Sequence, residues 1–366
     1  VNLIGEHTDY TGGLVLPMAI PFASVAEIGP AHPEASYTFI SETFAGQRSF
    51  PVGERPSRAG KWSDYPVGVL LQLLDRGITP SPFTLRLRGE VPFGAGLSSS
   101  ASIEVATAMA LLHHANATLP PEEIAQLCRR AENEYVGSPC GIMDQFVVTA
   151  ARAHHALLLD TRSLRYELLP MDRGTFDDAR IVIVNSTVRH SIANGDYGLR
   201  RRELEAGQAI LRSAFPEAED LGAATLAQLE ACRAQMSAES YHRCRHIISE
   251  NARVRTAREA LLGGDAAAFG VAMHGSHVSQ RDDFACSCEE IDFLVETAQA
   301  LPGCFGARLT GGGFGGCTVN LVALPQVEAF QQGIRAAYKA RFSIDPPTYV
   351  CEAADGAVAL AERAAA

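Results

Sequence analysis

Three groups of residues in this 366-residue chain have types and spacing suited to chemistry. The first lies in "VNLIGEHTDYTGG", where Glu6, His7 and Asp9 fall within four residues on a bend that ends in glycines. Such a set can simply be solvated, or it can offer donors and acceptors to a ligand with several hydroxyls. The second is "GEVPFGAGLSSSAS", in which strand-like residues lead to Gly94, Ala95 and Gly96 and then to Ser98, Ser99 and Ser100 at a helix start. Glycine lets the backbone approach a ligand. Unpaired N–H groups and the helix dipole favour an anion there. The serine hydroxyls add donors, and one can reach a metal ion. A serine N-cap after a glycine turn has a similar look, but three consecutive serines exceed capping needs. No G-x-x-x-x-G-K-[ST] occurs, so this is not a Walker loop. The third group is "LTGGGFGGCTVNLV", with Gly311, Gly313 and Gly316 at dinucleotide-loop spacing. The next residues, "CTVNLVAL", read as a strand rather than a helix, which excludes that fold. The cluster reads as a turn between strands whose backbone packs closely on phosphates or on the loop that holds the reactive group.

Bulk properties narrow the classes. A net charge of −11 argues against a nucleic-acid surface, which needs a basic patch. Phosphate ligands stay open, because a metal ion and a few local cations can manage them. Nine cysteines are scattered without a C-x-x-C pair, so a zinc site or disulfide framework is not expected. Reduced thiols point to a cytoplasmic protein. The most apolar stretch, "GLVLPMAIPFASVAEIG", is broken by Pro17 and Pro21 and reads as strands, not a membrane span. No signal peptide is visible, although a chain that starts without Met gives weak ground for that.

The positioning elements come from periodicity. "LVLPMAI", "SYTFI" and "RSFPV" read as short strands, "YPVGVLLQLLDRG" as a helix ending at Gly77, and "FTLRLRGEV" as a half-buried strand. A helix is expected from about Ser100 to His114. Another spans "PPEEIAQLCRRAENEYVG", with prolines at its start, acids in the first turn and Gly137 at its end. "ARIVIVNS" reads as a buried strand. Residues 196–301 are mostly helical, and strands return from "GARLTGGGFGGCTVNLVAL" to "PTYVCEA". The result is a mixed α+β chain with a seam near 171–179.

The blocks "VNLIGEHTDYTGG", "VPFGAGLSSSASIE" and "LTGGGFGGC" together resemble the GHMP small-molecule kinases, and within them the galactokinase family. "CGIMDQF", "VRHSIANGDYGLRRRELE", "HIISENARV" and "SHVSQRDDFACSC" resemble that family too, so the likeness runs from Val1 to about Leu324. It implies an α+β, two-domain GHMP kinase fold. An N-terminal ribosomal-protein-S5-like domain would span 1–175 and a C-terminal ferredoxin-like domain 176–366. The active site would lie between them, and last strands near 345–366 would pack back on the first domain. The implied reaction moves the γ-phosphoryl group of ATP, with Mg2+, to the C1 hydroxyl of α-D-galactose. The partners are small molecules only, with no membrane, and the chain is expected to be a monomer.

The resemblance implies roles. Glu6, His7 and Asp9 would bind sugar hydroxyls, which suits buried polar groups that the wrong epimer would leave unpaired. Asp144, among the core-like Met143, Phe146 and Val147, would orient the hydroxyl and take its proton, as positioning dominates phosphoryl transfer. Gly141 would offer its backbone to the sugar and Tyr197 its side chain. Gly94, Gly96, Ser98, Ser99 and Ser100 would hold ATP, and Ser100 with Glu132 would hold Mg2+, which needs few protein oxygens. Glu132 otherwise reads as a surface acid one step off its helix's apolar stripe. Trp62, alone or with Tyr65, would stack on adenine, or serve as a buried structural tryptophan. Arg200, Arg201 and Arg202 read as ion-pair partners of nearby acids, while Arg189 could serve phosphate or Asp144.

The family carries an arginine just before "VNLIGEHTDY", a position that precedes Val1 in this numbering. Only if the protein itself lacked that arginine would binding without useful turnover be expected, and a normal kcat would refute it. Rival readings are a kinase of N-acetylgalactosamine or arabinose, and a non-catalytic galactose and ATP sensor. The set Glu6, His7 and Asp9 favours a sugar with a free 6-hydroxyl. The intact segment from Gly96 to Ser102 favours an enzyme.

Overall fold

The computed structural model describes all residues except 93–95, 190–195 and 366, and leaves out the side chains of Arg189, Asp196 and Ala365. The chain divides into two compact units, each discontinuous in sequence: Val1–Ile20 with Ala153–Ala354, and Pro21–Arg152 with Asp355–Ala366. A single boundary after residue 175 does not describe this division. The hairpin His155–Asp160 and Tyr166–Pro170 extends the N-terminal strands Asn2–Ile4 and Leu14–Pro17 into one antiparallel sheet, which ties both segments to the first unit.

The first unit has a second antiparallel sheet, in the order Cys304–Thr310, Gly315–Ala323, Ala179–Arg189, Thr348–Cys351. "RIVIV" is a near-continuous apolar run, and Ile181 to Val184 are buried. Val182, Val184, Leu294, Phe330, Ile334 and Tyr338 join this sheet to the helices Glu289–Ala300 and Val327–Phe342. The second of these helices was not expected from the sequence. The helix Ala266–Ser279 comes so close to the strand Cys304–Thr310 that a Cβ on Gly270 would collide with the Phe305 carbonyl, and one on Gly306 with the Gly270 backbone. Glycine at both places is a condition of that packing. A separate core joins the helix Asp196–Ala214 to the 25-residue helix Ala238–Leu262 through Leu204, Leu211, Cys244, Ile247 and Phe284.

The second unit holds a sheet in the order Ser24–Pro30, Phe83–Gly89, Ser36–Ser41, Gln47–Pro51. In "FTLRLRG", Phe83, Leu85 and Leu87 are buried while Arg86 and Arg88 are exposed, as the alternation predicts. Phe39, Phe83 and Leu85 of this sheet pack with Val67 and Leu70 of the helix Asp64–Asp75 and with Val105 and Leu111 of the helix Ser99–His114. The residues after Asp355 form a helix, Ala357–Ala365, not a strand, and belong to this unit. No helix among the described residues is long and apolar enough to cross a membrane.

Candidate functional site

In the first unit, the bend after the strand Asn2–Ile4 carries Glu6, His7 and Asp9. Glu6 is buried, and its Oε1 accepts from the Gly311 amide at 2.9 Å and the Thr310 hydroxyl at 3.2 Å. The same oxygen lies 2.9 Å from Nη2 of Arg308, whose side chain is fully buried. The glycine cluster is therefore a turn between antiparallel strands, and its Gly311 amide donates to the Glu6 carboxylate.

His7 has φ 63°, in the left-handed region. Its ring stacks on Phe284 with centroids 4.0 Å apart, and Nδ1 lies 3.0 Å from the Tyr10 hydroxyl. Burial, then His246, holds the imidazole well below its ordinary pKa, so His7 is neutral near pH 7. Its buried Nε2 has no hydrogen-bond partner among the described residues. The Tyr197 ring is 6.1 Å from the His7 ring, and a Cβ on Gly312 would touch it. Glu6, His7 and Tyr197 thus come together, with half-buried Asp9 on the same bend.

The sequence reading did not single out the residues that hold this bend. His246 and Glu250 are four residues apart on the helix Ala238–Leu262, hence on one face. His246 Nε2 donates to the Glu6 carbonyl at 3.2 Å. Glu250 Oε1 accepts from the amides of Gly5 and Glu6 at 3.0 and 3.4 Å, and from the Ser276 hydroxyl at 2.6 Å. Burial alone would raise the Glu250 carboxyl, but Arg253, His246 and Arg308 hold it down at about 2. Asn251 Oδ1 accepts from Leu14 N–H at 2.7 Å. The available signal was polar residues on a helix face otherwise lined by Cys244, Ile247 and Val254.

In the second unit, the helix Ser99–His114 is preceded by Ser98 at φ 61°, whose side chain makes no capping bond. That hydroxyl is a neighbour of the Asp144 carboxylate. Burial raises the Asp144 pKa, and the neighbouring Ser98 hydroxyl opposes the rise. Asp144 sits in the first turn of the helix Met143–Ala150, just after half-buried Gly141. Gly96 is exposed with φ 70°, while Gly94 lies outside the described residues.

Ser100 neighbours Glu132, which is buried rather than on the surface. The helix Pro121–Arg130 runs into a π-helical turn, Ala131–Val136, which shifts the residues after Arg130 out of α-helical register. Periodicity at 3.6 residues does not anticipate such a turn. Gln145 Nε2 donates to Glu132 Oε2 at 2.7 Å and to Glu104 Oε2 at 3.1 Å. Burial, then the neighbouring acids, raises both the Glu104 and Glu132 carboxyls. Glu104 and Gln145 were also missed, because a glutamate and a glutamine within helices give no sign of burial.

Half-buried Trp62 lines a small pocket with Phe44, Leu87, Ser99 and Ile103 and also packs on the core, so both of its expected roles are compatible with its place. Arg200 pairs with Glu203 and Arg201 with Glu205, as expected. Among the described residues, no group of three or more His, Cys, Asp or Glu is arranged to hold a metal ion.

Family models match along the chain. Residues 1–30 match the galactokinase galactose-binding signature, 64–152 the GHMP kinases N terminal domain, and 257–340 the GHMP kinases C terminal. A galactokinase from Roseiflexus sp. (strain RS-1) is 40% identical over 97% of this chain and 90% of its own. The Homo sapiens galactokinase is 39% identical over 98% and 90%. The solved structure of Lactococcus lactis galactokinase complexed with galactose superposes with a TM-score of 0.91 at 32% identity, covering 97% of this chain and 92% of that one. Mevalonate kinase, at 20% identity and a TM-score of 0.67, shares the fold.

Proposed function

Because the chain belongs to the galactokinase family of the GHMP kinases, we infer that it transfers the γ-phosphoryl group of ATP to the C1 hydroxyl of galactose. The observation that carries this reading is the bend itself. The galactokinase signature covers it, and Glu6 and His7 are buried there with Nε2 of His7 unpartnered among the described residues. A buried, neutral imidazole and carboxylates on a fixed bend bind hydroxyls and penalise an epimer that leaves them unpaired.

In this reading Glu6, His7, Asp9 and Tyr197 hold the sugar, with the Gly141 backbone. The amides and hydroxyls of Ser98, Ser99 and Ser100, with Gly94 and Gly96, hold the nucleotide phosphates. Trp62 takes the adenine. Asp144 receives the C1 hydroxyl proton as that oxygen bonds to the γ-phosphorus, while the bond from the γ-phosphorus to the β,γ-bridging oxygen breaks and ADP leaves. Ser98, beside Asp144, favours the ionised form of the carboxylate.

A magnesium ion fits the second cluster. Glu132 and Ser100 are neighbouring hard oxygen donors, and buried Glu104 Oε1 has no hydrogen-bond partner among the described residues. Bound by Ser100 and Glu132, the ion would neutralise charge on the β- and γ-phosphates.

The test is ADP release with Mg·ATP and a panel of galactose, N-acetylgalactosamine, arabinose and glucose. Galactose-dependent ADP formation that disappears in Asp144→Asn is the expected result. Turnover of another sugar with none of galactose would refute the substrate assignment.

A further inference from the structure

We propose that Glu250 and His246 are positioning residues for the hexose, and that the helix bearing them sets sugar affinity and epimer selectivity from behind the bend. This rests on the reading of the bend as the sugar site.

Glu6 is gripped through its amide, its carbonyl and its carboxylate. The amide faces Glu250 Oε1, the carbonyl accepts from His246, and the carboxylate is held by Arg308, Thr310 and Gly311. The preceding amide, of Gly5, also points at Glu250 Oε1. Two successive amides aimed at one carboxylate oxygen fix the peptide plane between them, and with it the direction in which Glu6 and then His7 leave the backbone. Gly5 has φ 103° and no room for a Cβ, so local sequence alone does not hold this geometry. Glu250 is itself fixed: Arg253 Nε donates to its Oε2 at 2.6 Å and the Ser276 hydroxyl to its Oε1. His246 packs its ring on Phe284, 5.1 Å between centroids, and Phe284 is the surface on which His7 stacks. The helix therefore fixes both the backbone of Glu6 and the platform under His7. Sugar recognition depends on placing such groups to within a fraction of an ångström.

The experiment measures hexose and nucleotide Kd separately by calorimetry, and kcat/KM for galactose against glucose. Glu250→Ala weakens hexose binding by about tenfold or more and narrows the galactose preference. Nucleotide Kd stays within about twofold, since the nucleotide contacts are read to the other unit. Glu250→Gln, which keeps an acceptor oxygen for the two amides, restores most of the loss. Should Glu250→Ala fail to fold by circular dichroism, Ser276→Ala decides. It removes one donor to Oε1 and is expected to cost roughly two- to fivefold in hexose Kd with the same loss of selectivity. Unchanged hexose affinity, or equal loss of hexose and nucleotide binding in folded protein, overturns the proposal. Glu6→Gln is measured in parallel. If Glu6→Gln leaves hexose Kd untouched, the reading of the bend fails. If it abolishes hexose binding while Glu250→Gln, Glu250→Ala and Ser276→Ala bind normally, only the positioning role fails.

Discussion

The guanidinium of Arg308 lies 2.9 Å from the carboxylate of Glu6, and neither side chain reaches solvent appreciably, at 0% and 5% exposed. A strand near the C-terminal end of the sequence thus neutralises an acid near its start. Arg308 Nη1 also donates to the Asn2 carbonyl at 2.9 Å, so the same group fastens the strand that leads into the bend.

Replacing Arg308 by Met leaves a buried carboxylate without its counter-charge. Loss of about 3–5 kcal/mol is expected in urea unfolding. The double variant Glu6→Gln/Arg308→Met recovers much of it, because no charge is then stranded. Equal stability of the single and double variants would show that the pair is not coupled.

The contribution of His246 to stability falls as the pH drops below neutrality, while the raised Glu104, Glu132 and Asp144 carboxyls act in the opposite sense. Burial holds His246 at about 4 in the folded protein, against roughly 6.5 in an unfolded chain. Between those values the unfolded state binds the extra proton, so stability declines by roughly 1.4 kcal/mol per pH unit for this group. His7, also depressed by burial, adds to the same trend. Glu250, at about 2, loses its contribution only as pH falls below the ordinary carboxylate range. Thermal midpoints of the wild type and of His246→Gln from pH 7 to 4 isolate this contribution: on acidification the wild type should lose more stability, or gain less, than the variant.

Asp144→Asn should lower kcat by about a thousandfold while hexose and nucleotide Kd change little. Ser98→Ala tests the partner. The Ser98 hydroxyl favours ionised Asp144, so its loss raises the pKa further, and the acid limb of kcat moves to higher pH. An unmoved limb would separate Ser98 from the proton acceptor.

Glu132→Gln should raise the Mg2+ concentration for half-maximal rate by about tenfold or more, with galactose KM nearly unchanged. Chelation of Mg2+ should abolish turnover. A magnesium titration at fixed ATP distinguishes this from a general loss of fold.

Gly270→Ala should destabilise the protein by about 1–3 kcal/mol or more, because the added methyl meets the Phe305 backbone and neither element can yield cheaply. Melting of the purified variant, with KM values taken below its transition, separates this packing effect from any effect on the site.

The sequence by itself determined the local chemistry. "GEHTDY" placed three polar side chains on one bend, "GLSSSAS" placed hydroxyls at a helix start, and the strand after "GGGFGG" excluded a dinucleotide loop. These features depend on residues a few positions apart, where backbone geometry and composition suffice. The unit division, the π turn that accompanies burial of Glu132, and the grip of His246, Glu250 and Arg308 on Glu6 were decided only by tertiary structure. A buried Arg, His or Glu is tolerable only where a partner distant in the chain satisfies it, and single-residue periodicity carries no record of that partner. The same holds for Ser98. Its position at a helix start reads as a cap or a phosphate donor, and only the fold places it beside Asp144.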